Sequence, residues 1–371
     1  MKVYFDNAAT TAITSSLLKQ IEDLLRNQYY NADSLYDDAI MVKKLLETSR
    51  GNIATMLAVK TEEIIFTSGA SEGNNLIIKG IVDYYQGKRK HLITTDIEHS
   101  SVKVVFDYYQ ELGYQVDRIK VNEKGELDFK QFKNLLKEDT LLVSIMSVNN
   151  EVGTILPVKE LAEYTKANSR AFFHSDMTQS LGKLPIDLLN IDYASFSAHK
   201  FGGFKGSGFI YKRKGSNLLP LIMGGQQEFN LRAGTSNAPF QILLAKTLRL
   251  ALDNDIERII ELNKRLIEGL SDIGQVKING YNASPFIINF SLANLSSQVA
   301  INALAKKGIM VSGQSTCSSK KYEYSRVLKS MGFDETRCRN SLRVSFWYNN
   351  TIAEIEYFLK RVIEVINEYS L

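Results

Sequence analysis

Apolar positions along the first two-thirds of the chain alternate between two periods. SSLLKQIEDLLRNQ, SEGNNLIIKGIVDYYQ and SSVKVVFDYYQELG repeat them at helical spacing. Between such stretches stand short β-branched and aromatic runs: EEIIFTS, HLITTD, TLLVSIMSV, AFFHSD, YASFS and SGFIYKR. These predict strands. Their alternation with helices predicts an α/β fold with a mostly parallel sheet, of seven-stranded type, covered by helices on both faces. From about residue 250 the texture changes. LALDNDIERIIELNKRLIEGL predicts one long helix. PFIINFSL, the helix SQVAINALAKKG, the strand IMVSG, YSRVLKSMG, the strand SLRVSF and a final helix from Thr351 then predict a smaller α+β domain. The expected division is a large domain over 15–255 and a small one made from 1–14 and 256–371.

Composition narrows the class. The chain has 371 residues, 44% hydrophobic and 23% charged, as expected of a soluble globular protein long enough for two domains. Formal charge is +4 and the basic residues are scattered. The densest cluster, GKRK at 87–90, has no aromatic or glycine interleaving, so it reads as a solvated turn and no direct nucleic-acid partner is expected. The start, MKVYFDNAAT, carries no apolar run of signal-peptide length, and no segment approaches a membrane span; a cytosolic location is expected. Cys317 and Cys338 are the two cysteines, and no CxxC exists, which excludes a zinc ribbon or thioredoxin-like motif. Spacing leaves a mutual disulfide open; both are read as free thiols, and no metal site is expected. Cys317 lies in VSGQSTCSSKK, where no apolar neighbour is at hand to bury it. An accessible thiol in polar surroundings calls for a chemical reason.

In parallel sheets ligands bind beyond the carboxyl ends of the strands. After EEIIFT comes SGASEGNN, with Gly69, Ala70 and Ser71 at the turn into a helix, which by itself reads as a plain N-cap, Ser68 or Ser71 followed by an acid, or as a place suited to an anion. HLITTD leads to His99, LLVSIMSV to Asn149 and Asn150, AFFHS to Asp176 and Gln179, and YASFS to Ser197, His199 and Lys200. Five strands thus discharge polar groups at one edge. Lys200 precedes FGG in a tight loop, where neighbouring positive groups would depress its amine. A phosphate site, a carboxylate, an imidazole and a lysine are the parts needed by pyridoxal 5'-phosphate (PLP). The lysine forms a Schiff base, and the carboxylate pairs with the pyridinium nitrogen to keep the ring an electron sink.

DNAATT, FTSGASEGNN, IEHSSV, SVNNEVG, HSDMTQSLGK, SFSAHKFGG, LRAGTSN and SLRVSF occur in this order over nearly the whole chain. Together they resemble the cysteine desulfurases, PLP enzymes of fold type I in the class V aminotransferase group. The resemblance implies that Lys200 is the Schiff-base lysine and that His99 stacks on the cofactor ring and moves protons. It implies Asp176 on the pyridine nitrogen, Gln179 near the ring hydroxyl and Asn150 on the cofactor side. Ala70, Ser71, Ser197 and His199 match the phosphate cup. Thr235 matches a threonine that reaches the phosphate of the neighbouring subunit, which implies a homodimer. Arg343 matches the grip on the substrate carboxylate, with Asn31 assisting.

Cys317 then has its reason. It falls where the family carries its nucleophile, whose thiolate takes the sulfur of L-cysteine as a persulfide and leaves L-alanine. Its spacing to RVLKSMG matches the branch that hands sulfur to a partner protein, such as an iron–sulfur scaffold or a tRNA-thiolation enzyme. Departures from the pattern are NADSLY, with Tyr36 for histidine, SGQSTC, GGQQE with Gln226, and SFWYNNT, which is expected to put the bulk of Trp347 and Tyr348 near Arg343. Cys338 is expected to be structural or incidental. A selenocysteine lyase, another class V lyase, or a non-catalytic sulfur-transfer scaffold are the alternatives.

Overall fold

Short apolar runs buried on both faces build the centre of the molecule. The structure, a computed structural model, describes residues 1–281, 283–313 and 324–369. After β1 (Val3–Tyr4), α1 (Ser15–Asn27) and α2 (Asp37–Met56), the chain alternates strand and helix. The order is β2 (Ile64–Thr67), α3 (Ala70–Tyr85), β3 (His91–Thr95), α4 (Ser100–Glu111), β4 (Gln115–Ile119), α5 (Phe129–Leu135), β5 (Thr140–Ser144), α6 (Val158–Asn168), β6 (Phe172–Asp176), β7 (Tyr193–Ser197) and β8 (Gly208–Lys212). These strands form one seven-stranded sheet in the order β2-β8-β7-β6-β5-β3-β4. Only β8 runs against its neighbours, so the sheet is mostly parallel, as the alternation predicts. One face packs on Leu76 and Ile77 of α3 and Phe106 of α4. The other, with Phe66, Phe196 and Phe209, shares a core with the second half of the chain.

The strand β4 carries no apolar run. As an edge strand it buries Val116 and Ile119 while Gln115 stays exposed, so its sequence, QVDRI, is weakly apolar.

The second half contains α7 (Gln227–Asn230), α8 (Ala238–Leu252), α9 (Glu257–Ser271), β9 (Val276–Asn279), β10 (Ile287–Leu292), α10 (Ser297–Lys306), β11 (Ile309–Met310), α11 (Arg326–Ser330), α12 (Glu335–Arg339), β12 (Ser341–Ser345) and α13 (Ile352–Tyr369). The long helix expected across residue 250 is two. Asn254 Nδ2 donates to the Leu250 carbonyl at 2.7 Å, and Asp255 Oδ1 accepts from the Glu257 N–H at 2.9 Å. One side chain thus satisfies the end of α8 and the next starts α9. β9, β10 and β12 make a three-stranded antiparallel sheet. The N-terminal strand β1 pairs in parallel with β11, and Asp6 bridges to Ser345 at the end of β12. The first residues therefore lie beside the last strand. Among the described residues, no helix is long and apolar enough to cross a membrane.

Two glycines allow β2 and β8 to approach closely where the site forms. Gly69 has φ +146°, a conformation that excludes other residues. A Cβ on Gly208 would lie 2.6 Å from Gly69 Cα and closer still to the Phe196 carbonyl. Both obstacles are backbone, so Gly208→Ala is expected to cost about 1–3 kcal/mol. Urea unfolding of the variant beside the parent measures this; equal midpoints would show that the strands separate freely.

Candidate active site

A cavity of about 390 Å³ lies beyond the carboxyl ends of the parallel strands. Of the thirteen residues to which the resemblance gives a role, ten line it. Asn31 and Thr235 do not line it, and Cys317 lies outside the described residues.

One wall is the turn from β2 into α3. Ala70 and Ser71 open the helix, whose first N–H groups have no acceptor within it. Ser197, at the end of β7, faces the same turn: its Oγ is 3.0 Å from the position a Cβ on Gly69 would take. His199 follows. Burial, with the charges of Lys200, Lys205 and Lys183, pushes its imidazole down to about 4, so it is neutral at physiological pH.

Opposite stand Asp176 and His99, joined by a buried relay. Asp176 Oδ1 accepts from the Thr178 N–H at 3.0 Å, and Oδ2 accepts from Asn74 Nδ2 at 2.8 Å. Asn74 Nδ2 also donates to Ser101 Oγ at 2.9 Å, while Ser195 Oγ donates to Asn74 Oδ1. His99 caps α4: its Nδ1 accepts from the Ser101 N–H at 3.2 Å and lies 2.8 Å from Ser101 Oγ. With Nδ1 an acceptor, the neutral ring carries its proton on Nε2. Burial, reinforced by Lys200 and Arg326, lowers the His99 pKa below the ordinary imidazole value against the pull of Asp176 and Glu151. The preceding Glu98 is buried, with Oε1 accepting from Thr95 Oγ1 at 2.7 Å and the Met146 N–H at 3.0 Å, and Oε2 without a partner.

Lys200 Nζ donates to the carbonyls of Ala8 at 2.6 Å and Ala9 at 2.8 Å. Gln179 Nε2 donates to the same Ala8 carbonyl at 2.9 Å, and its Oε1 accepts from Lys183 Nζ at 2.8 Å. Lys183 is 4% exposed; burial, then the charges of Lys200 and Arg343, hold its amine well below the usual lysine range. Arg343, 2% exposed, donates from Nη2 to Asp6 Oδ1 at 2.7 Å and from Nη1 to the Asn150 carbonyl at 2.8 Å, leaving Nε without a partner. Asn149 does different work from Asn150: its Oδ1 accepts from the N–H groups of Glu151 and Val152 and shapes the turn.

Sequence reasoning missed Asn74, Ser101, Lys183 and Asp6. All four lie inside the motifs that carry the resemblance, but nothing local marks a helix asparagine, a second serine or a buried lysine as part of a site. Asn31 is exposed, its Oδ1 accepting from the Asp33 N–H in a local turn. Thr235 is exposed too. Trp347 and Tyr348 are not among the residues that line the cavity; both rings meet Phe286. Cys338 is a buried free thiol, pushed up to about 11 by burial.

Thr10 Oγ1, Thr178 Oγ1 and His199 Nδ1 belong to residues lining the cavity and are buried without partners. Unpaired buried polar atoms are costly, so the pocket is built for a polar ligand. A helix N-terminus with hydroxyls, a carboxylate on a hydrogen-bonded relay and a lysine suit the phosphate, ring nitrogen and aldehyde of PLP. Among the described residues no cluster suited to a metal ion exists.

Residues 3–358 match the family model Aminotransferase class-V. The chain belongs to the class-V aminotransferase family, whose members work with PLP. Within it the chain stands among the cysteine desulfurases. It is 36% identical over 380 residues to the cysteine desulfurase IscS of Dictyoglomus turgidum, covering 100% of this chain and 96% of that protein. A solved NifS-like protein superposes with a TM-score of 0.94 at 35% identity, covering 99% of this chain and all of that one. SspA, solved in complex with cysteine, gives a TM-score of 0.83 at 29% identity over 95% of this chain and 100% of its own.

Glu98 makes the site sensitive to pH. Burial pushes its carboxyl up to about 8, above the unfolded value near 4.5. Its stabilising contribution is therefore complete below pH 4.5 and is lost as pH rises through 8. Glu98→Gln is expected to remove that loss, so that the variant gains on the parent by on the order of a few kcal/mol between pH 5 and pH 9. Denaturant unfolding at the two pH values checks it; a constant difference would place the charge elsewhere.

Proposed function

We propose that this protein is a PLP-dependent L-cysteine desulfurase that converts L-cysteine to L-alanine and stores the sulfur as a persulfide on Cys317. The observation that carries this reading is the convergence of Lys200, His99, Asp176 and Arg343 on one cavity. When bound, PLP supplies an electron sink that weakens the bonds at the substrate's Cα. The residues that would hold it are Ala70, Ser71, Ser197 and His199 at the phosphate, Asp176 at the ring nitrogen, Gln179 at the ring hydroxyl, Asn150 beside the ring and Lys200 at the aldehyde.

The chain's own groups do the rest. Arg343 binds the substrate carboxylate; its buried position and unpaired Nε leave donors for a planar anion. Asn31 assists in that grip. Lys200 carries the Cα proton. His99, fixed at Nδ1 by Ser101, keeps Nε2 for proton exchange with the substrate. The Cys317 thiolate attacks the substrate sulfur; the S–S bond forms as the Cβ–S bond breaks. The electron pair passes to carbon, which takes a proton to become alanine.

The active assembly is a homodimer in which Thr235 serves the partner's site. Thr235 is exposed and absent from its own chain's cavity. Ile222, Met223 and Phe229 in the preceding segment are exposed apolar residues, as are Leu35, Tyr36 and Ile40, and Gln227 ties the two segments through Asp33. Residues 15–255 form the cofactor unit, and 1–14 with 256–371 the unit that carries Cys317. The enzyme works in the cytosol and passes its sulfur to an acceptor protein, such as an iron–sulfur scaffold or a tRNA-thiolation enzyme.

Borohydride reduction followed by peptide mapping is expected to find the pyridoxyl group on Lys200; a label elsewhere would overturn the assignment. His99→Gln should lower kcat by about 10²–10⁴ with cofactor retained. Cys317→Ser should keep the cofactor and bind cysteine but stop alanine release, whereas Cys338→Ser should match the parent. Full turnover by Cys317→Ser would point to a lyase that releases sulfur directly. Mixing Lys200→Ala with Thr235→Ala protomers should regenerate one intact site per mixed dimer, and a monomer by sedimentation would refute the shared site.

A further inference from the structure

Three consecutive carbonyls lead up to His99, and each is held by a side chain from another element. Asp96 O accepts from Arg326 Nη1 at 2.5 Å, Ile97 O from Asn149 Nδ2 at 2.9 Å, and Glu98 O from Arg326 Nη2 at 2.6 Å. Arg326 opens α11, far along the chain. Its neighbour Ser325 donates from Oγ to Glu151 Oε2 at 2.6 Å, next to the cavity residue Asn150. Residues 325 and 326 therefore tie α11 to both turns that present His99 and Asn150. A guanidinium reaches two carbonyls two residues apart because it is planar and carries donors on both Nη atoms; a lysine ammonium is a single point.

We propose that Arg326 is a positioning residue for His99, fixing the turn that aims the ring into the cavity and setting the charge beside it. The groups facing His99 are Asp176 and Glu151 on the acidic side and Lys200 and Arg326 on the basic side, with Glu98 preceding it in the turn. Arg326 adds a positive charge that disfavours the imidazolium. It thereby helps keep the ring in the neutral form, whose acceptor Nδ1 binds Ser101. This inference rests on the acid–base role given to His99 above.

The test uses the holoenzyme with Arg326→Gln and Arg326→Lys. Ring resonances of the four histidines are followed against pH, with His99→Gln to assign His99. Arg326→Gln should lower kcat by about tenfold or more while KM and cofactor content stay near the parent's, because displacement of a reacting group costs turnover first. Its His99 should titrate at higher pH than in the parent. Arg326→Lys should restore the parent titration but only part of kcat, since the charge returns without the fork. Parent-like kcat and titration in Arg326→Gln would overturn the proposal. So would a lower melting temperature with the His99 titration unmoved, which would make Arg326 a brace of the fold alone. If Arg326→Gln does not fold, parent kcat in Arg326→Lys overturns the need for the fork. Full activity in His99→Gln would instead remove the acid–base reading, while the Arg326 effect on the titration would still be read directly.

Discussion

A buried carboxylate is tolerable only if its oxygens are hydrogen-bonded, and for Asp176 this depends on Asn74. It is completely buried and uses both ends of its amide. Through Nδ2 it binds Asp176 and Ser101, and through Oδ1 it accepts from Ser195. Those partners belong to β6, α4 and β7, so one amide sets the relative positions of three elements and, through Ser101, the tautomer of His99. Replacing it with an apolar residue would leave several buried groups unpaired at once, each costing about 1–3 kcal/mol.

The cavity is also an exercise in limiting positive charge. Lys200, Lys205, Lys183, Arg343 and His199 stand in or beside it. Burial holds the Lys183 amine well below the usual lysine range and pushes the His199 imidazole down to about 4, and Asp6 answers Arg343. Lys200 rests on the Ala8 and Ala9 carbonyls, which are dipoles rather than charges. The result is a pocket that favours anions without collapsing onto carboxylates of its own, suited to a ligand bearing a phosphate and a substrate bearing a carboxylate.

The N-terminal segment joins the two sheets. Val3 pairs with Ile309, Asp6 reaches Arg343, and the Ala8 carbonyl receives both Gln179 and Lys200. Residues from opposite ends of the chain thereby share one wall, and the last strand of the small sheet delivers Arg343 to the end of the large one.

The sequence by itself determined the strands whose residues are buried throughout, because continuous apolar runs between helical patterns leave little choice. It also marked the residues after each strand, since a parallel sheet sends all those turns to one edge. His99, Asp176, Ser197 and Lys200 were legible for that reason. The weakly apolar edge strand β4 and the break between α8 and α9 were not, because edge burial and side-chain caps carry no periodic signal. Only the tertiary structure decided which neighbours tune the site. Asn74 reads as an ordinary helix residue, Lys183 as a solvated lysine and Arg326 as a surface charge. Each acquires its role from partners between 4 and 230 positions away. The bonds of Asn74 and Arg326 depend on how strands and helices pack in space, and Lys183 is set apart by a burial that no local pattern of residues records.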